Sequence, residues 1–172
     1  SPPDRPKRRI EFYGDSVTAG GGVEAVGYEN LQDDQIRTSN EIGILDNAYH
    51  SFASMTARAL NAEANVNGIG GLALFDGTGH FNMPETLGFE STYDKLDPIR
   101  GRQTAWDFTR FEPHVVVVAI GQNDAKGNDP KDPDQREKWI RRYVEILKDL
   151  NEKHPRAWFV LTTTILNHDL LW

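Results

Sequence analysis

The chain has 172 residues, a formal net charge of −7 and no cysteine. Its length suits one domain with a real hydrophobic core, and its acidic balance argues against nucleic-acid binding, which needs a basic face to neutralise phosphates. The lack of cysteine excludes disulfides, thiolate metal ligands and a cysteine nucleophile. No apolar run approaches the ~18 residues of a membrane-spanning helix.

The first eight residues are rich in proline and charge and precede the first apolar run. We predict a linker over residues 1–8 and a single domain over residues 9–172. This stretch shows no secretory signal, although a leader or an upstream domain could have been removed from it.

Four runs of apolar or β-branched residues predict strands. In chain order they are Ile10 to Tyr13, a weaker candidate from Ala64 to Asn67, Val115 to Ile120, and Trp158 to Thr162. The valine run shows no alternation of apolar and polar residues, which indicates a strand buried on both faces of a parallel sheet.

Two helices are predicted between the strands, over Asp46 to Leu60 and over Asp134 to Lys153. Asp134 is the expected N-cap of the second helix, and Pro155 prevents its continuation. The apolar face of the first helix is expected to consist of Tyr49, Phe52, Ala53, Ala57 and Leu60. Alternating strands and helices predict an α/β fold of three layers, with helices on both faces of a parallel sheet.

Two long segments, residues 20–43 and 77–101, show no clear periodicity and are predicted to be loops. Such loops are often lids or walls of a functional site, and they are as often surface elaborations without a function.

Ligands of parallel α/β sheets bind at the carboxyl ends of the strands. Glycine-rich or polar turns follow three of the predicted strands, at residues 14–20, 68–71 and 121–124. If the predicted order of elements is right, these three turns meet at one edge of the sheet.

Three residues of these turns could carry chemistry: Ser16, Gly71 and Asn123. Each also has a structural interpretation, since Ser16 could cap a helix, Gly71 could serve only its turn, and Asn123 could lock its own loop. Taken together, a hydroxyl and two separate hydrogen-bond donors are the equipment for acyl transfer through a stabilised oxyanion. Phosphate binding is less favoured, because neither a P-loop nor a dinucleotide-binding glycine pattern is present.

The sequence around these three residues resembles blocks one, two and three of the SGNH, or GDSL, hydrolase superfamily of serine esterases and lipases. Within it, the segments 9–16, 57–62 and 106–113 resemble carbohydrate esterase family 2, whose members remove acetyl groups from xylan and related polysaccharides. The resemblance implies a flavodoxin-like three-layer α/β/α sandwich, the SGNH hydrolase fold, from Arg9 onward.

Carried over by residue, the resemblance implies that Ser16 is the nucleophile. Its own N–H, the N–H of Gly71 and the side chain of Asn123 would form the oxyanion hole, with Asp15 and Asp124 as supports of their own turns. Block two usually has serine where this chain has Gly70, which is tolerable because the donor there is a main-chain group. Trp106 could line the sugar site, but a core or loop-anchoring role is favoured.

The general base is the serious departure from the family pattern. The family takes it from a histidine motif after a fifth strand, whereas this chain ends at Trp172, after the fourth. None of the five histidines, His50, His80, His114, His154 and His168, lies in such a motif. We therefore expect the domain to be incomplete at its C-terminus and residues 1–172 alone to have negligible esterase activity.

The expected function is a secreted serine esterase that removes O-acetyl groups from xylan-type polysaccharide without a metal or organic cofactor. Its partners would be acetylated oligo- or polysaccharide and a separate C-terminal segment of the same domain, with no nucleic acid or membrane. The alternatives are an SGNH lipase or thioesterase, a non-catalytic polysaccharide-binding module on the same fold, and, by fold analogy alone, a flavodoxin-like mononucleotide binder.

Overall fold

A computed structural model describes residues 4–26, 45–80, 87–98, 102–129 and 131–162 of the chain. The strands are β1 (Arg8–Gly14), β2 (Ala62–Gly68), β3 (Lys95–Asp97), β4 (Arg102–Ala105), β5 (Val115–Ala119) and β6 (Trp158–Leu161). The helices are α1 (Ser16–Ala19), α2 (Phe52–Ala59), α3 (Phe89–Thr92) and α4 (Pro133–Lys153), with short 3₁₀ turns at Ala48–His50 and Phe108–Arg110.

The main sheet has four parallel strands in the order β2-β1-β5-β6. Both neighbours of β1 run in register with it, so that Gly14 lies opposite Gly68 on one side and Ala119 on the other. The predicted parallel α/β sheet is thereby confirmed. Its register brings the ends of β1, β2 and β5, and the turns that follow them, to one edge.

Helices cover the sheet on both faces. On one face, Tyr13, Val116 and Val118 pack with α4 residues such as Trp139 and Ile146. On the other face, Ile10, Phe12 and Val117 pack with Ala53 and Ala57 of α2. Alternate residues of β1 and β5 therefore enter two separate cores, which is why the valine run carries no polar residue.

The first predicted helix is shorter than the sequence suggested. The serine at position 51 interrupts it, because its side chain accepts a hydrogen bond from Ser54 N and caps a new helix at Phe52. Of the expected apolar face, Ala53 and Ala57 are buried, whereas Tyr49, Phe52 and Leu60 are exposed. The prediction of one helix from Asp46 to Leu60 is wrong at its N-terminal end.

The long helix matches its prediction apart from the cap. Asp132, two residues before the expected Asp134, accepts hydrogen bonds from the backbone N–H groups of Asp134 and Gln135. Pro133 takes the first helical position, where its missing N–H is not needed.

The predicted loop over residues 77–101 contains ordered elements. Helix α3 and strand β3 lie within it, and β3 pairs with β4 in an antiparallel two-stranded sheet. Most of the other predicted loop, residues 27–43, falls outside the described residues. No helix in the described ranges is long and apolar enough to cross a membrane.

Candidate active site

Ser16 is the first residue of α1, and one residue, Asp15, separates it from the end of β1. Asp15 is the N-cap of this helix and accepts a hydrogen bond from Val17 N at 3.0 Å. Because Ser16 occupies the first helical position, its N–H has no acceptor within the helix, and no other described residue accepts it. A Cβ at position 14 would overlap the side chain of Thr18, so this tight turn requires Gly14.

Gly71 lies in the turn that follows β2. Its φ of 77° is in the left-handed region that favours glycine. Its carbonyl oxygen accepts a hydrogen bond from His80 N at 2.8 Å, whereas its N–H has no partner in the described part of the chain. The neighbouring Gly70 lies against the proposed nucleophile, since a Cβ built on it would be 3.9 Å from Ser16 Cβ.

Asn123 reaches the same edge from the turn after β5. Its side-chain nitrogen donates to Asp15 Oδ2 at 3.1 Å and to the carbonyl oxygen of Leu72 at 3.0 Å. The amide therefore joins the turn after β1 to the turn after β2. Both of its protons are in use here, so an incoming oxyanion would take over one of them.

Asp15 joins the turn after β1 to the turn after β5, beyond the capping role that the sequence suggested. Its buried carboxylate accepts from Gln122 Nε2 at 3.0 and 2.8 Å as well as from Asn123. Burial raises the pKa of this carboxyl, and hydrogen bonds from Val17 and Gln122 oppose the rise. The sequence feature that could have indicated this link was Gln122, a polar residue just after a fully buried strand.

Asp124 links the turn after β5 to more distant elements. Its Oδ1 accepts from Leu74 N at 2.9 Å and from the indole nitrogen of Trp139 on α4 at 2.5 Å. The residue is fully buried, and burial is the main cause that raises its pKa to about 6. Sequence reasoning placed Asp124 in its own loop and missed these contacts, which depend on tertiary structure.

The described histidines are placed elsewhere or have other partners. His154 is paired with the buried Glu11, and His114 Nδ1 accepts from Arg9 N at the opposite end of the sheet. His50 is exposed in a 3₁₀ turn. His80 reaches the edge through its backbone bond to Gly71.

His168 lies outside the described residues. Within the described ranges, no hydrogen bond joins the Ser16 hydroxyl to another residue, and no group of three or more carboxylates and histidines could hold a metal ion. Trp106 follows β4 and lines a cavity beside this edge.

Comparison with known proteins gives relatives of one kind. An acetylxylan esterase/glucomannan deacetylase of Cellvibrio japonicus is 33% identical over 97% of this chain, and the chain spans 42% of its length. The cellulase/esterase CelE of Acetivibrio thermocellus is 30% identical over 88% of the chain, which spans 16% of that protein.

Solved structures show the same likeness. A family two carbohydrate esterase from Cellvibrio japonicus superposes with a TM-score of 0.77 at 30% identity, covering 97% of this chain and 45% of its own. One from Clostridium thermocellum, in complex with cellohexaose, gives a TM-score of 0.70 at 27% identity, covering 92% and 43%. These neighbours confirm the SGNH fold that the resemblance implied.

The relatives therefore confirm the resemblance to family 2 carbohydrate esterases, while this chain spans less than half of their length. The sequence profile of the GDSL-like lipase/acylhydrolase family matches residues 12–172. With its fold, its three strand-end turns and this match, the chain belongs to the GDSL-like lipase/acylhydrolase family.

Proposed function

We propose that this chain carries the nucleophile and oxyanion hole of a serine esterase that removes O-acetyl groups from polysaccharide. The observation that carries the proposal is the meeting of three turns around Ser16: the N–H groups of Ser16 and Gly71, which no described residue accepts, and the amide of Asn123 lie at one edge of the sheet. The supporting relatives are named as acetylxylan esterases or glucomannan deacetylases.

In this proposal, the oxygen of Ser16 attacks the carbonyl carbon of the acetyl ester while its proton passes to a general base. The carbonyl oxygen becomes an oxyanion that accepts hydrogen bonds from the N–H groups of Ser16 and Gly71 and from Asn123. Collapse of this intermediate expels the sugar oxygen, which takes the proton from the base. Water then releases acetate from acetyl-Ser16 by the same two steps.

Asp15 prepares the site for this charge. Its carboxylate fixes the amides of Gln122 and Asn123 before substrate arrives, so little reorganisation is needed when the oxyanion forms. The N–H that now points to the carbonyl of Leu72 is the one an oxyanion would share, since the other N–H can then keep its bond to Asp15.

The origin of the general base is a separate proposal. None of the described histidines is bonded to Ser16, and the resemblance places the family's histidine after a further strand. We infer that the base comes from outside residues 1–172. Because a polysaccharide substrate does not enter cells, we also propose that the protein is secreted.

The test supplies the missing base from solution. Acetate release from an acetylated xylo-oligosaccharide is measured for residues 1–172 with and without imidazole, beside the Ser16→Ala variant. We expect negligible release without imidazole and release that depends on both imidazole and Ser16 when it is added. The same assay with a long-chain ester separates a deacetylase from a lipase.

Two results would contradict the proposal at different points. Equal acetate release by the parent chain and Ser16→Ala in imidazole would remove Ser16 as nucleophile. Full turnover without imidazole would leave the nucleophile in place but show that His80 or His168 supplies the base.

A further inference from the structure

A cavity of about 300 Å³ lies at the outer edge of β2, beside the turn that holds Gly71. Tyr13 of β1 and Asn65 and Asn67 of β2 line it from the sheet. Tyr93 and Trp106, which flank the β3–β4 hairpin, line it from the opposite side. The volume is at the lower end of the range for small-molecule sites.

The two asparagines present fixed acceptors to this cavity. Their side-chain nitrogens donate to Glu11 Oε1, at 2.8 Å from Asn65 and 3.3 Å from Asn67. Glu11 is fully buried and lies opposite Asn65 on the neighbouring strand β1, so it sets the orientation of both amides. The amide oxygens, which accept no hydrogen bond from the described residues, are left for a ligand that donates.

The charged groups of the lining are of both signs. Asp97 forms no hydrogen bond or ion pair with a described residue, and Lys95 bonds to Asp94 at 2.8 Å with donor capacity to spare. Asp97 disfavours an anion and Lys95 disfavours a cation. A neutral ligand with several hydroxyl groups avoids both repulsions and can form hydrogen bonds with both side chains.

The aromatic residues add flat apolar surface. Tyr93 is fixed by a 2.6 Å hydrogen bond from its hydroxyl to Asp149, and Trp106 presents the largest ring of the lining. Such rings pack against the C–H faces of a pyranose ring, while the amides and the carboxylate take its hydroxyls. The indole nitrogen of Trp106 is buried without an acceptor in the described residues, so a sugar would contact the ring and not its N–H.

We propose that this cavity is a second saccharide-binding site, which takes a neutral sugar residue beside the Ser16 edge and separately from the oxyanion donors. Gly68 and Ile69 form its rim and lead directly into the turn of Gly70, so one glycan could reach both places. The proposal rests on the proposed function only for the choice of a plant-type glycan as probe.

The test is an NMR titration of the ¹⁵N-labelled Ser16→Ala chain with xylotriose and, separately, cellotriose. The indole N–H of Trp106 and the side-chain amides of Asn65 and Asn67 report on the cavity. We expect saturable shifts of these signals. Trp158, which is 79% exposed on β6, is the matched control for sugar that stacks on any open indole, and its signal should stay in place.

Variants make the readout specific. Asp97→Ala removes one acceptor for sugar hydroxyls without touching the core and is expected to weaken binding about tenfold. Trp106→Phe assigns the indole signal, and Trp158→Phe should leave the affinity unchanged. A thermal melt of each variant shows that it is folded.

Three outcomes would overturn the proposal: no shift with either sugar, equal titration of Trp106 and Trp158, or shifts confined to residues around Gly71 and Asn123. The last outcome leaves the proposed esterase function intact. Conversely, saturable binding in the cavity, combined with no Ser16-dependent acetate release in the presence of imidazole, would support the saccharide site and contradict the esterase function.

Discussion

Asp124 is the residue whose ionisation should be visible in the stability of the protein. Burial raises its pKa from the ordinary 3.8 to about 6, so between these values the native state keeps a proton that the unfolded state has released. Stability then falls as the pH rises from about 4 to about 6, by roughly 3 kcal/mol from this group alone.

The Asp124→Asn variant tests this account. Its amide oxygen can still accept from Leu74 and Trp139, the two partners of Oδ1, but it does not titrate. Urea unfolding at several pH values should show that the difference in stability between variant and parent grows in favour of the variant from pH 4 to pH 6. Parallel pH curves for the two proteins would contradict the raised pKa.

Asn123 is the donor whose loss should affect turnover most. Its amide lies within 3.1 Å of Asp15, next to the proposed nucleophile. In the imidazole assay, Asn123→Ala is expected to lower Ser16-dependent acetate release by about 10²–10³.

Asn151→Ala is the matched control for Asn123→Ala, because Asn151 is exposed on α4, far along the chain from the three turns. It should keep the parental rate. If the two variants released acetate equally fast, Asn123 would have only a structural role.

At the scale of the element, the buried pair between β1 and the end of α4 is the clearest case. His154 Nε2 lies 3.1 Å from Glu11 Oε2, with their side chains 2% and 0% exposed. His154→Ala leaves the buried Glu11 Oε2 without its partner, while Oε1 keeps the amides of Asn65 and Asn67, and should destabilise the protein by about 1–3 kcal/mol in chemical unfolding.

Arg141→Ala is the comparison for His154→Ala. It breaks the exposed Glu137–Arg141 pair on α4 and should leave stability unchanged within error, because exposed pairs are weak. Similar losses in both variants would mean that burial does not decide the strength of these pairs.

The N-terminus of α4 separates two neighbouring aspartates. Asp132 accepts the capping hydrogen bonds, whereas Asp134 lies within the first turn. Asp132→Ala is expected to lower the melting temperature by about 2–4 °C, and Asp134→Ala by clearly less. A larger loss from Asp134→Ala than from Asp132→Ala would place the cap at the residue that the sequence pattern favoured.

Long elements were predicted from the sequence, and several short ones were not. The valine run of β5 was recognisable because burial dictates its composition, and α4 was recognisable by its helical period, although Ile140 and Val144 of that period are exposed. Helix α3 and strands β3 and β4 have four residues or fewer, too few for a period to emerge. The Ser51 cap was hidden because a serine between apolar residues has no distinct pattern until its hydrogen bond is known.

On the scale of the whole molecule, the parallel sheet turns three distant segments into one site. The register of β1 with β2 and β5 places the turns after these strands together, and this rule made Ser16, Gly71 and Asn123 predictable as neighbours. The contacts of Asp15 with Gln122 and Asn123 could not be read from the chain, because they join residues more than 100 positions apart.

We propose that Ser16, Gly71 and Asn123 act on one carbonyl group: the Ser16 hydroxyl attacks its carbon, and the N–H of Gly71 and the amide of Asn123 donate to its oxygen. A crystal structure of the chain with methylboronic acid tests it directly, since attack by Ser16 on boron forms a tetrahedral anion like that of ester cleavage. We expect one boronate oxygen within about 2.7–3.1 Å of Gly71 N and Asn123 Nδ2. A Ser16 adduct whose oxygens all point to solvent, with Asn123 still bonded to both Asp15 and Leu72, would contradict it.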